Sequence, residues 1–483
     1  MTSLLANGGI LLTIIYAINI LIAIGIIFIE RKDPTSTLAW ICVLMFLPVI
    51  GLPLYLVFSQ NISRRRIFRL SKNEEYLSRK ALKEQISAIE CGGYPLSLEA
   101  REREELLRFN LSYSGAYYTQ DNAIDVLSDG EKLYADLTKS IAAARQEVNV
   151  ESYILQDDEV GRGIIEVLTR KAREGVKVRL LMDAMGSNRI RGSRLADFKA
   201  AGGECGFFFD TGFRVLNLRL NYRNHRKIAV IDRSIAYVGG FNIGREYLGR
   251  DPKYGYWRDS HWKITGGAVR DLNTRFLFDW REATKENVSL HDVDYPPHYC
   301  GATGVQIVSG GPETKREELK VAYMKMITSA RKSVYVQTPY FVPDQCILES
   351  LKMAAHSGVD VRLMIPNKCD NAFVQHVNMS CAAELLEAGG RVFLYDHGFI
   401  HAKTIVVDGE VSACGSANFD RRSFSLNFET NAFAYSREIA MRMEDLFKKD
   451  LQFSHELTKE LYDSRGVFAR IKESVARLLS ALL

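Results

Sequence analysis

The sequence predicts an α/β protein. Two duplicated halves, each a mixed sheet flanked by helices, face each other behind an N-terminal two-helix transmembrane hairpin. Three observations predict this. The chain opens on two uncharged apolar stretches. The string "NHRKIAVID" (224–232) returns as "IHAKTIVVD" (400–408). Around these strings, apolar strand-like runs alternate with helical stretches in the same order twice.

Residues 8–29 and 38–58 carry no charge, and each is about as long as a bilayer core is thick. The polar turn "ERKDPTST" joins them. A secretory signal fits badly, because residues 1–8 hold no Lys or Arg and the apolar run is too long. Pro48, Gly51 and Pro53 interrupt the second stretch, which leaves one span plus a re-entrant segment as the alternative. Residues 61–83 hold Arg64, Arg65, Arg66, Arg69, Lys72, Arg79, Lys80 and Lys83 against Glu74 and Glu75. The turn holds Arg31 and Lys32, offset by Glu30 and Asp33. The positive-inside rule puts residue 61 onward in the cytoplasm, and the same cations suit anionic lipid headgroups.

The expected order is a membrane hairpin over 1–60, a basic connector over 61–120 with a helix over 98–109, a first half over 121–300, a second over 301–452, and a C-terminal amphipathic segment over 453–483. The halves correspond block by block. "ARQEVNVESYI" (144–154) matches "ARKSVYVQTPY" (330–340), "AREGVKVRLLM" (172–182) matches "AHSGVDVRLMI" (355–365), and "AAGGECGFF" (200–208) matches "EAGGRVFLY" (387–395). Strands are expected over 148–153 and 178–183, with a helix over 159–174 between them.

Both repeated strings hold His-x-Lys-x-x-x-x-Asp: His225, Lys227, Asp232, then His401, Lys403, Asp408. Side chains two apart on a strand share a face, so each His and Lys point together and Arg226 points away. Asp232 and Asp408 fall at strand ends, and "VVDGE" carries a hairpin-turn signal. These aspartates are read as bracing turns and nearby backbone rather than touching substrate. "GGFN" and "GSAN" follow. Gly240 and Ser416 lie where backbone can approach an anion, and Asn242 and Asn418 can donate to its oxygens.

A surface with His, Lys, Asn and glycyl backbone is half a phosphate site. Two such surfaces face to face supply what phosphodiester exchange needs. One imidazole attacks phosphorus, the other protonates the leaving oxygen, and the lysines stabilise the non-bridging oxygens. Such a histidine wants a carboxylate on its other nitrogen. Asp259 follows the first motif and Glu429 the second at comparable distances, which nominates them as the orienting groups. The chemistry needs no metal or cofactor, and no acidic metal cluster is visible.

The composition, 47% hydrophobic and 25% charged over 483 residues, is that of a globular protein. The net charge of +5 suits an anionic substrate or surface without demanding either. Eight cysteines without a C-x-x-C read as free thiols in a reducing compartment. Residues 465–483 place Phe468, Ile471, Val475, Leu478, Leu479 and Leu482 on one side of a helix, with Arg470, Lys472, Glu473 and Arg477 on the other. That helix is expected either to pack on the catalytic domain or to lie in a membrane interface.

The motif pair, with "GGFN" and "GSAN" behind it, resembles the duplicated HKD motif of the phospholipase D superfamily. Within it the chain resembles the bacterial cardiolipin synthases over nearly its whole length. "STLAWICVLMFLPVIGLPLYLVF", "NYRNHRK", "TPYFVPD" and "SANFDRRSFSLNFETN" carry that likeness. Gly240 departs from Ser416 by one hydroxyl. The resemblance implies that one histidine attacks phosphatidylglycerol and releases glycerol. A second phosphatidylglycerol then displaces the phosphatidyl-histidine to give cardiolipin. It further implies His225 as nucleophile and His401 as acid/base, and phosphatidylglycerol, other anionic phospholipids and the bilayer as partners, with no nucleic acid. It implies a multi-pass protein of the bacterial plasma membrane with a cytoplasmic catalytic domain. Alternatives are a membrane-bound phospholipase D hydrolase, a phosphatidylserine synthase, a membrane-anchored nuclease and a non-catalytic scaffold. The sequence does not fix the oligomeric state.

Overall fold

The computed structural model describes residues 2–25, 34–58, 68, 70–210, 221–290, 295, 300–314 and 316–480. The first half contributes β1 (Tyr118–Leu127), β2 (Glu147–Ser152), β3 (Lys177–Asp183), β4 (Glu204–Phe208), β5 (Arg223–Asn224), β6 (Ile228–Ile231), β7 (Ile235–Gly239), β8 (Trp257–Arg258) and β9 (His261–Thr265). The second contributes β10 (Thr303–Gly310), β11 (Ser333–Gln337), β12 (Phe341–Val342), β13 (Asp360–Pro366), β14 (Arg391–Tyr395), β15 (Phe399–Ile400), β16 (Thr404–Val407), β17 (Val411–Gly415), β18 (Phe419–Asp420), β19 (Asn427–Tyr435) and β20 (Ser454–Leu457).

Among the described residues, sixteen strands form one continuous mixed sheet, ordered β20-β14-β13-β11-β16-β17-β19-β10-β1-β9-β7-β6-β2-β3-β4, with β5 beside β19. The order reads alike outward from the antiparallel β1–β10 ladder, where Tyr118 lies opposite Gln306. The duplication therefore becomes a pseudo-two-fold centred on that ladder. One apolar cluster crosses the join, with Val126, Val230, Trp262 and Leu272 from the first half meeting Val305, Ala432, Ile439 and Met443 from the second.

The strands at 148–153 and 178–183 and the helix at 159–174 appear as β2, β3 and the helix Glu159–Arg173. Asp158 caps that helix through Val160 and Gly161 N–H, and its apolar stripe of Ile164, Val167 and Leu168 is buried. The expected order omitted β1 and β10, which start each half and join the two.

The N-terminal region differs from expectation. Thr2–Gly25 is one helix, but the second apolar stretch forms two, Pro34–Phe46 and Gly51–Phe58. Pro48 and Pro53 lack the N–H a continuous helix needs. The chain turns at 47–50, and Asn19 Nδ2 donates to Leu44 O at 2.9 Å and Pro48 O at 3.1 Å. Among the described residues, no helix is long and apolar enough to cross a membrane. The turn cations Arg31 and Lys32, and Arg64, Arg65, Arg66 and Arg69, lie outside the described residues.

The connector is more ordered than a linker. Lys72–Glu90 is a helix closed by a Ser71/Glu74 capping box. The single helix expected over 98–109 is two, Leu98–Glu102 and Glu104–Phe109, broken at Arg103. Arg103 turns inward to pair with Asp408 and Glu410 of the second half. The last segment is not helix alone. It begins with β20, which completes the sheet edge beside β14.

Candidate active site

Two short ladders between the halves build the site. β5 runs parallel to the start of β19, with Arg223 opposite Asn427 and Asn224 opposite Phe428. One step further, this register sets His225 beside Glu429. β15 runs parallel to β8, with Phe399 opposite Trp257 and Ile400 opposite Arg258. One step further, His401 meets Asp259. The His225 N–H donates to Phe428 O at 3.0 Å and the His401 N–H to Arg258 O at 2.7 Å.

His225 Nδ1 lies 3.0 Å from Glu429 Oε1 and 3.1 Å from Oε2. His401 Nδ1 lies 2.5 Å from Asp259 Oδ2. Each carboxylate follows one motif in the chain and serves the histidine of the other. A carboxylate on Nδ1 holds the proton there, so a neutral ring keeps its Nε2 lone pair free. Tyr153 stands edge-on to the His225 ring at 4.9 Å, and the Trp257 and His401 ring centres lie 5.0 Å apart.

Residues 225–227 and 401–403 do not extend a strand. They are links between β5 and β6 and between β15 and β16. The expected alternation persists. Lys227 Nζ donates to His225 O at 2.6 Å, and Lys403 Nζ donates to His401 O. Arg226 points away and is fully buried. Its Nη1 bonds both Asp279 oxygens at 2.9 Å and 2.8 Å, its Nη2 donates to Gly310 O, and its Nε donates to Thr430 Oγ1 and to the carbonyl of Glu429. Arg258, beside Asp259, bonds both Asp450 oxygens at 3.1 Å and 2.9 Å. These two buried arginines fix the strands that carry the orienting carboxylates. Nothing in the motif marked their partners, although a buried arginine needs a buried anion.

Burial sets the protonation states. It lowers His225, with Glu429 opposing, and takes His401 down to about 3 with help from the Lys403 charge. Both rings are neutral at pH 7. Burial also lowers Lys227 to about 7 and Lys403 to about 8. Burial raises Asp259 and Glu429, but the neighbouring Lys403 and His401, or His225 and Lys227, outweigh it and keep both carboxylates ionised. The site thus holds two lysines poised to lose their protons, and a bound anion would favour keeping them.

The aspartates of the two motifs are distant from this chemistry. Asp232 accepts from the N–H groups of Arg145, Gln146 and Glu147 at 2.7–3.0 Å. Asp408 accepts from Arg331, Lys332 and Ser333 at 2.6–3.1 Å and pairs with Arg103. Both stand at positive φ, 48° and 57°, in the hairpin turn.

The four residues assigned to phosphate are engaged elsewhere. Asn242 Nδ2 donates to Tyr247 OH at 3.0 Å and its Oδ1 accepts the Ile154 N–H. Asn418 Nδ2 donates to Asp420 Oδ2 at 3.2 Å, while its buried Oδ1 has no partner among the described residues. Ser416 Oγ accepts the Thr430 N–H at 3.0 Å. A side chain on Gly240 would run into the Asp259 carboxylate. The Gly240/Ser416 difference therefore follows the carboxylates. Asp259 needs the room, whereas on the other side Ser416 Oγ donates to Thr430 O at 3.4 Å, beside Glu429 in the chain. Among the described residues, no group of three or more His, Cys, Asp or Glu side chains could hold a metal ion.

Two imidazole–carboxylate pairs and two buried lysines, supplied by duplicated α/β halves, are the parts that an enzyme transferring a phosphodiester group needs. The family profile described as "Cardiolipin synthase, PLD-like domain" matches residues 137–259 and 323–451, and that described as "Phospholipase_D-nuclease N-terminal" matches residues 17–60. The chain is 44% identical over 481 residues to the major cardiolipin synthase ClsA of Bacillus subtilis, covering 99% of each chain. It is 43% identical over 480 residues to the cardiolipin synthase of Listeria innocua, covering 98% of this chain and 99% of that one. The chain belongs to the cardiolipin synthases of the phospholipase D superfamily and is a phosphatidyltransferase. The crystal structure of phosphatidylserine synthase from Haemophilus influenzae shares the fold, with a TM-score of 0.60 and 16% identity over 78% of this chain and all of that one.

Proposed function

We propose that the chain makes cardiolipin and glycerol from two molecules of phosphatidylglycerol. The observation that carries this reading is the pair of histidines, each with Nδ1 on a carboxylate of the other half and a buried lysine beside it. His225 Nε2 attacks the phosphorus of the first lipid. A P–N bond forms, the P–O bond to glycerol breaks, and His401 gives that oxygen a proton. The terminal hydroxyl of the second lipid then gives its proton to His401 and attacks phosphorus. A P–O bond forms and the P–N bond breaks. The bound anionic diester raises the pKa of His401, so that its ring carries the proton it gives. His225 takes the nucleophile's role by likeness to the superfamily.

The profile matched over residues 17–60, the apolar helices there and the cations of residues 61–83 support anchoring at a bacterial membrane with the catalytic halves on the cytoplasmic side. Purified wild type, His225→Ala and His401→Ala in phosphatidylglycerol micelles, with products read by mass spectrometry, test the reading. Cardiolipin plus glycerol is expected from wild type alone. A phosphatidyl adduct is expected to build up on His401→Ala and never on His225→Ala. Phosphatidic acid without cardiolipin from wild type would make the enzyme a hydrolase, and an adduct on His401 in His225→Ala would exchange the two roles.

A further inference from the structure

The helix Val467–Ser480 sits on the catalytic domain the wrong way round for a packing helix. Its apolar residues face solvent: Phe468 is 83% exposed, Leu478 75%, Val467 71%, Ile471 52% and Val475 50%. The residues it buries are Glu473 at 3% and Ala476 at 4%. The inner face is held by polar contacts. Glu473 accepts from Arg465 Nη1 at 2.7 Å and from Tyr462 OH at 2.9 Å, and Arg477 pairs with Glu384 of the helix Ala372–Glu387. An apolar face this open on a helix this firmly anchored suits contact with another apolar surface.

Charge chooses the occupant. At 100° per residue, Lys472 borders one edge of the apolar arc, and Arg470 and Arg477 lie beyond the other. All three are exposed, and the partners of the two arginines leave them half open, at 50% and 43%. A second copy packed face to face would bring these cationic rims together, because a two-fold contact repeats the same patch on both sides. A bilayer rich in anionic phospholipid accepts the apolar arc among its acyl chains and the cations among its phosphates. We propose that the helix Val467–Ser480 docks on an anionic phospholipid surface through its outward apolar face. This goes beyond the proposed reaction and does not depend on it, because docking needs no turnover.

The test uses the full chain in phosphatidylglycerol nanodiscs that carry a phospholipid with a diazirine high on its acyl chain. After irradiation, mass spectrometry locates the labelled peptides. Wild type is expected to be labelled within residues 466–480. The double variant F468E/L478E changes two side chains that touch little, so its fold is expected to stand. Its labelling in that peptide is expected to drop about tenfold or more, as the loss of apolar contact at an interface dictates. Discs of zwitterionic lipid alone are expected to give weaker labelling there than discs with phosphatidylglycerol. No label on the helix, or equal label in the double variant, overturns the proposal. So does a helix peptide cross-linked to a second copy of the chain in place of lipid.

Discussion

At the scale of single residues, the asymmetry between the two half-sites is a matter of one methylene. Asp259 is shorter than Glu429, and Gly240 stands where the second half has Ser416, so the shorter carboxylate has room to reach His401. Gly240→Ser is expected to push Asp259 off Nδ1 and cut kcat about 10²-fold, the usual cost of losing a group that orients a catalytic histidine. Ser416→Gly loses only a hydroxymethyl group and is expected to cost less than tenfold. Equal losses in the two variants would show that the close approach to Asp259 has no kinetic weight. The lysines give a pH dependence of definite sign. In the free enzyme, burial lowers Lys227 to about 7 and Lys403 to about 8, so both are charged below that range. Their charge is lost as pH rises through it, and kcat/KM is expected to fall on the alkaline side. An arginine stays charged throughout, so whatever activity Lys227→Arg retains is expected to hold to higher pH. A wild-type profile flat from pH 6 to 9 would contradict this. His-x-Lys and its two carboxylates were legible because two copies at one spacing share residue types and order. The protein contacts of Asn242, Asn418 and Ser416 were not, because an amide or hydroxyl serves neighbouring backbone and side chains as readily as an anion, and spacing does not separate the two.

At the scale of elements, the repeated aspartates of the two motifs are turn braces. Each gathers three successive N–H groups at the start of the neighbouring strand, 145–147 for Asp232 and 331–333 for Asp408. Those donors open β2 and β11, the strands next to β6 and β16, so each brace locks the register of the strand that leads away from a catalytic histidine. Losing a carboxylate that satisfies this many donors costs about 2–4 kcal/mol. Asp408→Ala also takes one of two carboxylates from the buried Arg103, which keeps Glu410, so it is expected to lower Tm more than Asp232→Ala. Thermal unfolding of both variants checks the order, and the reverse order would remove Arg103 from the account. The turn at Asp408 was readable, since an Asp-Gly pair between apolar runs has few other uses, and the turn at Asp232 followed from the repeat. The partner of Asp408 was not, because Arg103 lies 305 residues earlier in a stretch whose local pattern reads as plain connector.

At the scale of the whole molecule, duplication could have produced two independent sites and instead produced one. The β5–β19 and β15–β8 ladders are the reason, because each pairs a strand of one half with a strand of the other, and their registers deliver His225 to Glu429 and His401 to Asp259. Alternation of strand and helix revealed two α/β halves. It did not reveal this exchange, which depends on two-residue strands too short to show a period. A half on its own therefore has a histidine with no orienting carboxylate and a carboxylate with no histidine. It also exposes the edge of β1 or β10 and one side of the apolar cluster that joins the halves. Fragments 1–290 and 300–483 are each expected to be inactive alone. Expressed together, they are expected to copurify through the β1–β10 ladder and the shared cluster, and to recover cardiolipin formation. The assay is product formation from phosphatidylglycerol by each fragment and by the pair. Activity in a single fragment would mean that a half-site suffices and that the crossed pairing is scaffolding. Copurification without activity would mean that the register of the two-residue ladders needs the covalent link, and would place the energetic weight of the site on the chain connection rather than on the ladder.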